Sequence, residues 1–463
     1  MEKAGYTYYQ WKIIGMSICI LFVDGIHMNI TNNLFFALKK LYNIDDITFS
    51  FVSSILFIGV ALGSIISGYV SERLGRKHSV TFSNLFMFVF SLCMAYSNNY
   101  ILFTIFRFLI GIILGLIIPM LFGIVTEYLP IKYRGFVLTF VWTGFSLGHI
   151  YTLILMFFFT PNYDLGGIRT VLICCAIPFL VVSLILFVFF EESPRFLIIE
   201  NKEEEGLYLL EKIAGRSLSK EEKDQICSEV KEGVNKELKV SIKYLFHHEY
   251  LKTSIILIFI WIINSYFLYG GMFTLQQTLT KISKIPHVQP KDVIMSQIMI
   301  SIIVLPGNLI SGILTEIKYF GRIFSCIFFY LFSSLFLIAA VIFRQQFSLL
   351  YGLTILCLSS AFNISSTYTS ELYPTIIRDT ALGFFYFWTR ISGFSSQFIA
   401  TGLENSMFLL QYYVMILSSL IAAVIIYFSP IETYGNPIDL PVVHGHFVHE
   451  NPKSFEENKE KII

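Results

Sequence analysis

The sequence predicts an all-α integral membrane protein: twelve transmembrane helices in two six-helix halves, both termini cytoplasmic. Three observations carry that expectation. Of 463 residues, 55% are hydrophobic and 14% charged, with a mean hydropathy of +0.68, whereas soluble domains carry about 25% charged residues. Twelve apolar stretches approach the roughly 20 residues that a spanning helix requires. Charged motifs also recur in one register. Glu127, Pro130 and Arg134 return 244 residues later as Glu371, Pro374 and Arg378, and Gly68 and Glu72 return as Gly312 and Glu316. A repeat shared by two motifs marks a duplicated chain.

The apolar stretches cover 13–30, 50–70, 79–97, 101–124, 136–159 and 170–190, then 253–273, 292–314, 322–343, 347–369, 380–402 and 408–428. Lys and Arg in the short connections set orientation. With the N-terminus cytoplasmic, inside connections hold Arg73, Arg76, Lys77, Lys132, Arg134, Lys318, Arg322 and Arg378, more than the outside ones. The connection 191–250 adds ten basic and fourteen acidic residues, a burden to translocate, which also places it inside. The expected division is therefore 1–190 as the first half, 191–250 as a cytoplasmic linker with two or three short helices, 251–430 as the second half and 431–463 as a cytoplasmic tail. In the linker, Leu207, Leu209, Leu210 and Ile213 give one helix an apolar stripe beside Glu203, Glu204, Glu205, Glu211 and Lys212.

Several function classes are excluded. A net charge of +1 provides no field to draw the chain to nucleic acid. Six of the seven Cys lie in apolar runs without metal or disulfide spacing. The first twelve residues resemble neither a cleaved signal nor a transit peptide. No catalytic constellation stands in the linker, so a soluble enzyme is not expected, nor any cofactor or metal. His444, His446 and His449 are read as a solvated tail rather than a metal site.

Motifs near the ends of the spans carry a resemblance. Gly68-Tyr-Val-Ser-Glu72-Arg73-Leu-Gly75-Arg76-Lys77 resembles the loop signature of the major facilitator superfamily, with Glu where Asp is more frequent. Arg107 with Gly111 and Gly115, Glu127 to Gly135, and Glu192-Ser193-Pro194-Arg195 resemble its sugar and organic-ion branches. Glu371 to Arg378 and the weaker Pro430-Ile431-Glu432-Thr433 repeat the pattern. The resemblance covers 13–435. It implies parallel halves with a cavity between them near the bilayer midplane. Glu72, Glu127, Glu192, Glu316 and Glu371 lie at helix ends near Arg73, Arg76, Arg134, Arg195, Arg322 and Arg378, and are expected to act as a cytoplasmic latch between the halves.

Ionisable groups inside a membrane are rare and usually functional. Asp24 lies about eleven residues into the first span, some 16 Å deep at ~1.5 Å per residue, and Arg107 about 9 Å down the fourth from the other side. In a ~30 Å core these levels are close. The resemblance to proton-coupled sugar porters implies that Asp24 and Arg107 form a coupling pair. His149 stands where sugar porters place a substrate-binding Gln, a departure that argues against a hexose. In the seventh span, Trp261-Ile-Ile-Asn264-Ser-Tyr266-Phe-Leu-Tyr269-Gly270 resembles the organic-ion and synaptic-vesicle-2-related transporters and lacks the sugar-porter signature. Thr389-Arg390-Ile391-Ser392-Gly393 resembles the same branch, whose anion carriers tend to have Arg there. Asn363 in the tenth span either faces the cavity or bonds a neighbouring helix.

The expected function is secondary active transport of a small organic anion by alternating access, coupled to protons. Expected substrate-binding residues are His149, Asn264, Tyr266, Tyr269, Asn363 and Arg390. A hexose-like sugar porter is the first alternative, and a non-transporting subunit or sensor with a transporter fold the second. The expected partners are a small organic substrate, protons and membrane lipid. The chain is expected to be a monomer unless it joins a membrane complex. The plasma membrane is the default location, with organelle membranes open.

Overall fold

Helix dominates because lipid leaves the backbone of an apolar run no partner but itself. The computed structural model describes residues 8–128, 134–161, 165–237, 245–246, 250–282, 290–317, 320–373, 375–407, 409–429, 432–433, 442–443 and 446–447. The first half contains α1 (Tyr8–Asn33), α2 (Phe35–Tyr42), α3 (Asp46–Leu74), α4 (Arg76–Ala95), α5 (Tyr100–Tyr128), α6 (Arg134–Val141), α7 (Thr143–Phe159) and α8 (Leu165–Phe189). Three linker helices come next: α9 (Pro194–Ile199), α10 (Glu203–Ala214) and α11 (Lys220–Glu237). The second half contains α12 (Leu251–Ser265), a π-helical turn (Tyr266–Gly270), α13 (Gly271–Ile282), α14 (Pro290–Thr315), α15 (Gly321–Ile342), α16 (Phe347–Leu372), α17 (Thr375–Ser406) and α18 (Leu410–Tyr427). In the tail, Val442–Val443 pairs antiparallel with His446–Phe447. His444 and His449 lie outside the described residues.

Among the described residues, eleven helical segments are long and apolar enough to cross a membrane. The twelfth expected span falls in α17. That helix is 32 residues long but carries Arg390, Ser392, Ser395, Ser396 and Gln397, which remove it from the apolar set.

Within the first half, α3 packs on α5 and α1 on α7. Glycines make these contacts close. A Cβ added at Gly59, Gly63, Gly111 or Gly115 would strike the backbone of the facing helix, as would one at Gly25 or Gly148. Association in lipid depends on such approach, since apolar side chains gain nothing by leaving lipid. Between the halves, α3 meets α17, and α6 and α7 meet α14.

One end of the bundle, which we call the turn end, repeats a capping device. Gly75 adopts φ +79° and Gly321 φ +58°, a region that favours glycine. Each turn aims a helix N-terminus at a carboxylate from a distant segment. Glu192 accepts the backbone N–H groups of Arg76 (2.7 Å) and Lys77 (3.1 Å). Glu432 accepts those of Arg322 and Ile323, both at 2.9 Å. Carboxylates at helix N-termini satisfy orphan donors and meet the positive end of the helix dipole.

The linker is clasped to the same end. Glu191 accepts from Tyr9 (2.9 Å) and from Lys212 (2.8 Å), with Lys12 at 3.7 Å. Burial works to raise the Glu191 carboxyl, but the hydrogen bonds from Lys212 and Tyr9 and the charge of Lys12 hold it below the ordinary carboxylate range. The expected apolar stripe of α10 buries Leu209 and Ile213.

Replacing Gly321 tests the device. A Cβ there would lie 2.8 Å from the Glu432 carboxylate, on a backbone that costs a non-glycine residue about 1 kcal/mol before any clash. Gly321→Ala is expected to lower the thermal unfolding midpoint in detergent. Gly383→Ala, where a Cβ meets nothing within 4 Å, is expected to leave it near the wild-type value.

Candidate functional site: a cavity between the halves

Polar residues inside apolar helices gather where the halves meet. A cavity of about 90 Å³ lies there. Its first-half wall is Asn29 of α1, Trp142 at the break between α6 and α7, and Phe145, Ser146 and His149 of α7. Opposite stand Tyr269 and Met272 beside the π turn, Ser301 and Asn308 of α14, and Phe362 and Asn363 of α16. The π turn matters because its extra residue per turn rotates the chain after Ser265 and re-aims the residues beyond it; such turns often mark functional sites.

Aromatic rings narrow the cavity toward the turn end. Trp142 meets Phe362 edge-on with centroids 5.6 Å apart, and Phe122 stacks on Tyr386 at 6.4 Å. Trp261, fully buried, lies 5.4 Å from Phe362. The opposite end is closed by Phe35 and Phe49 of the first half against Phe273 of the second. Ser50 of α3 also bonds Thr401 of α17 at 2.8 Å.

Beside the cavity, Asp24 of α1 and Arg390 of α17 are 3% and 5% exposed. Asp24 Oδ1 is buried with no hydrogen-bond partner among the described residues. Arg390 Nη1 donates to the Tyr269 hydroxyl at 3.1 Å, and the Tyr269 ring leans on Phe57 of α3 at 4.6 Å. A buried carboxylate of one half and a buried guanidinium of the other thus lie beside the cavity, the guanidinium through its bond to the cavity residue Tyr269.

Arg107 sits elsewhere. It is 1% exposed, and its Nη1 donates to the backbone carbonyl of His27 at 2.7 Å. His27 in turn meets Ser91 at 2.6 Å and packs on Phe179. The expected pairing of Asp24 with Arg107 is not among the described contacts, in which Arg107 is held by a backbone carbonyl. Asp24 and Arg107 do lie at similar depth, but depth carries no information about which helix faces which.

Of the other expected ligands, His149, Tyr269 and Asn363 line the cavity. Asn363 does both things left open for it, since its Nδ2 also donates to Asn308 Oδ1 at 2.8 Å. Asn264 and Tyr266 differ from expectation. Asn264 accepts from Tyr330 (2.7 Å) and donates to Ser365 (3.3 Å) inside the second half. Tyr266 packs against that half's apolar cluster, away from the cavity. Asn264 precedes the π turn and Tyr266 opens it. Trp142, Ser301 and Asn308 are cavity residues that the sequence did not single out; the signal for the last two is a polar residue within an apolar run.

The charged helix-end residues hold each half together. Arg322 grips Glu371 with two hydrogen bonds, 2.9 and 2.7 Å, and its Nη2 reaches Glu316 at 3.4 Å. Thr433 bonds the same Glu371 at 2.7 Å. Arg73 is exposed and lies over the Tyr69 ring of its own helix, 4.5 Å from its centre. These described contacts join helices of one half, whereas the expected latch joins the two. The side chains of Glu72, Glu127, Arg134, Arg195 and Arg378 lie outside the described residues.

Two helical halves closed on a polar and aromatic cavity, with a buried carboxylate and a buried guanidinium beside it, define a multi-pass membrane protein of the two-domain transporter class. Similarity to known proteins agrees. The Major Facilitator Superfamily model matches residues 17–397, and the chain belongs to that family, one of transporters and not of enzymes. It is 29% identical over 356 residues to Solute carrier family 22 member 6-A of Xenopus laevis, covering 73% of this chain and 59% of that one. It is 25% identical over 454 residues to Synaptic vesicle 2-related protein of Bos taurus, covering 94% and 80%. The chain thus spans about three-fifths of the length of the solute carrier relative. The proton:xylose symporter XylE bound to 6-bromo-6-deoxy-D-glucose shares the fold, with a TM-score of 0.75 at 19% identity over 93% of this chain and 98% of that one.

The Arg322 cluster yields a stability test. Its side chain is 7% exposed, and removing one partner of a buried pair costs ~3–5 kcal/mol. Arg322→Gln is expected to lower the unfolding midpoint in detergent far more than Arg73→Gln, whose guanidinium is exposed.

Proposed function

We propose that the protein is a secondary transporter of a small organic anion, working by alternating access and coupled to protons through Asp24 and Arg390. All twelve expected spans cross the membrane in this reading, including α17, with the turn end, the linker and both termini cytoplasmic. The plasma membrane is the proposed site of action. The observation that carries the reading is the burial of Asp24 and Arg390, contributed by opposite halves, with Arg390 bonded to the cavity residue Tyr269.

The chemistry rests on charge balance. Moving an isolated ion into a medium of low polarity is costly, so each buried charge needs a partner. With Asp24 ionised, Arg390 is neutralised within the protein. A proton taken up on an Asp24 carboxylate oxygen removes that partner. A substrate carboxylate can then take its place against the planar donors of Arg390, next to the Tyr269 hydroxyl. One proton and one monoanion together leave the charge of the site unchanged. Empty and fully loaded carriers therefore carry equal internal charge, while a half-loaded carrier does not. That difference supports coupling, because it penalises movement with only one of the two.

The aromatic wall of Trp142, Phe145 and Phe362 suits a flat apolar body, and Asn308, Asn363 and Ser146 supply hydrogen bonds. The shared fold with XylE does not by itself favour a sugar. Arg390 does favour an anion.

Purified protein in proteoliposomes tests the proposal with a panel of labelled carboxylates, hexoses and organic cations. Acidifying the substrate side is expected to raise accumulation of carboxylates alone. Asp24→Asn should abolish pH-driven accumulation, by more than about tenfold, yet retain exchange of labelled for unlabelled anion, since Asn cannot bind the proton. Arg390→Lys should weaken anion uptake, because it keeps charge but not the planar fork. Preference for a hexose or a cation, or accumulation indifferent to pH, would contradict the reading.

A further inference from the structure

His149, expected among the substrate-binding residues, has both ring nitrogens engaged. Nε2 faces Asn33 Oδ1 at 3.3 Å, and Nδ1 faces Ser301 Oγ at 3.3 Å. Ser301 also meets the Gln297 carbonyl at 2.9 Å, one turn back along α14. The Gln297 side chain accepts from Gln276 Nε2 at 3.3 Å, and the same Nε2 donates to the Asn33 backbone carbonyl. The five residues close a ring. Asn33 and His149 belong to the first half, while Gln276, Gln297 and Ser301 belong to the second. The ring therefore crosses the interface twice, at His149–Ser301 and at Gln276–Asn33.

Its position is informative. His149 and Ser301 line the cavity, whereas Asn33 ends α1 at the end opposite the turns. Between the cavity and that end stand this ring and the Phe35, Phe49 and Phe273 cluster. All five ring residues are buried. The arrangement is closed but not saturated: Asn33 Nδ2 and Gln276 Oε1 are buried without hydrogen-bond partners among the described residues. Unsatisfied buried polar atoms cost free energy. Three of the ring's hydrogen bonds are 3.3 Å long and two groups are unmet, so the closure at His149 is shallow, as a gate that must reopen requires.

We propose that the Asn33–His149–Ser301–Gln297–Gln276 ring is the gate that closes the cavity toward the end opposite the turns, and that substrate opens it by replacing the His149–Ser301 bond. Neutral imidazole offers one donor and one acceptor. A hydroxyl, amide or carboxyl group of the substrate, inserted between His149 and Ser301, satisfies both while breaking the crossing. With its anionic group at Arg390, the substrate thus carries a second hydrogen-bonding group at its other end. This rests on the alternating-access reading above.

The gate is tested without substrate. Ser146→Cys places a thiol in the cavity, and a membrane-impermeant maleimide is applied to either face of oriented proteoliposomes. Labelling is read at that residue by peptide mass spectrometry. Adding Ser301→Ala or His149→Leu is expected to raise labelling from the face opposite the linker about fivefold and to lower it from the linker face, the shift that one lost net hydrogen bond produces. His149→Gln, which keeps a donor and an acceptor, should stay near the parent rate. Unchanged labelling in both Ser301→Ala and His149→Leu would overturn the proposal. So would a rise on both faces, the mark of a loosened bundle. Because no substrate enters the assay, this outcome is independent of which solute the protein carries.

Discussion

A membrane interior does not tolerate a lone charge, and in the proposed reading the neutralising partner of Arg390 comes from the other half. Asp24 belongs to α1 and Arg390 to α17, and both are buried inside the bundle. The surroundings are arranged about that fact. The π turn brings Tyr269 to Arg390, Phe57 braces Tyr269 from the first half, and the cavity opens beside them. Arg107 is kept apart on the His27 carbonyl. In that reading the pair straddles the interface, so anything that alters its charge alters how the halves hold each other. Protonation and anion binding are two such events, and opposite ones.

The duplication divides structural labour from chemical labour. The feature common to both halves is at the turn end: a positive-φ glycine leading into a helix whose first amides meet a distant glutamate. The differences lie in the middle. The first half supplies Asp24, His149 and Trp142, and the second supplies Arg390, Tyr269, Asn363 and Ser301. A device repeated in both halves serves stability of either half, because each needs it. A group present once can serve a reaction that occurs once per cycle, at the interface between them.

Much of the fold was legible because the bilayer imposes a simple length and composition on spanning helices. The internal repeat then fixed the halves. The site was legible only in part. Asp24, His149, Tyr269, Asn363 and Arg390 stand out as polar groups inside apolar runs, and all lie at or beside the interface. Their partners do not stand out, since depth along a helix says nothing of its rotation. Asn264 and Tyr266 bond or pack within their own half, and nothing in Tyr-Phe-Leu-Tyr-Gly announces the π turn that re-aims the residues beyond them. Asn33, Gln276 and Gln297 carry no signal in the sequence, because polar residues near span ends are ordinary until a structure joins them.

The most direct measurement of the central claim is a double-mutant cycle on Asp24 and Arg390, read by thermal and denaturant unfolding of the purified protein in detergent. Asp24→Asn and Arg390→Gln each strand the other's charge inside the bundle, whereas the double variant removes both. If the two groups neutralise each other across the interface, each single change is strongly destabilising and the double recovers part of the loss, with a coupling of ~2 kcal/mol or more between them. Additive effects, with a coupling near zero, would contradict the account.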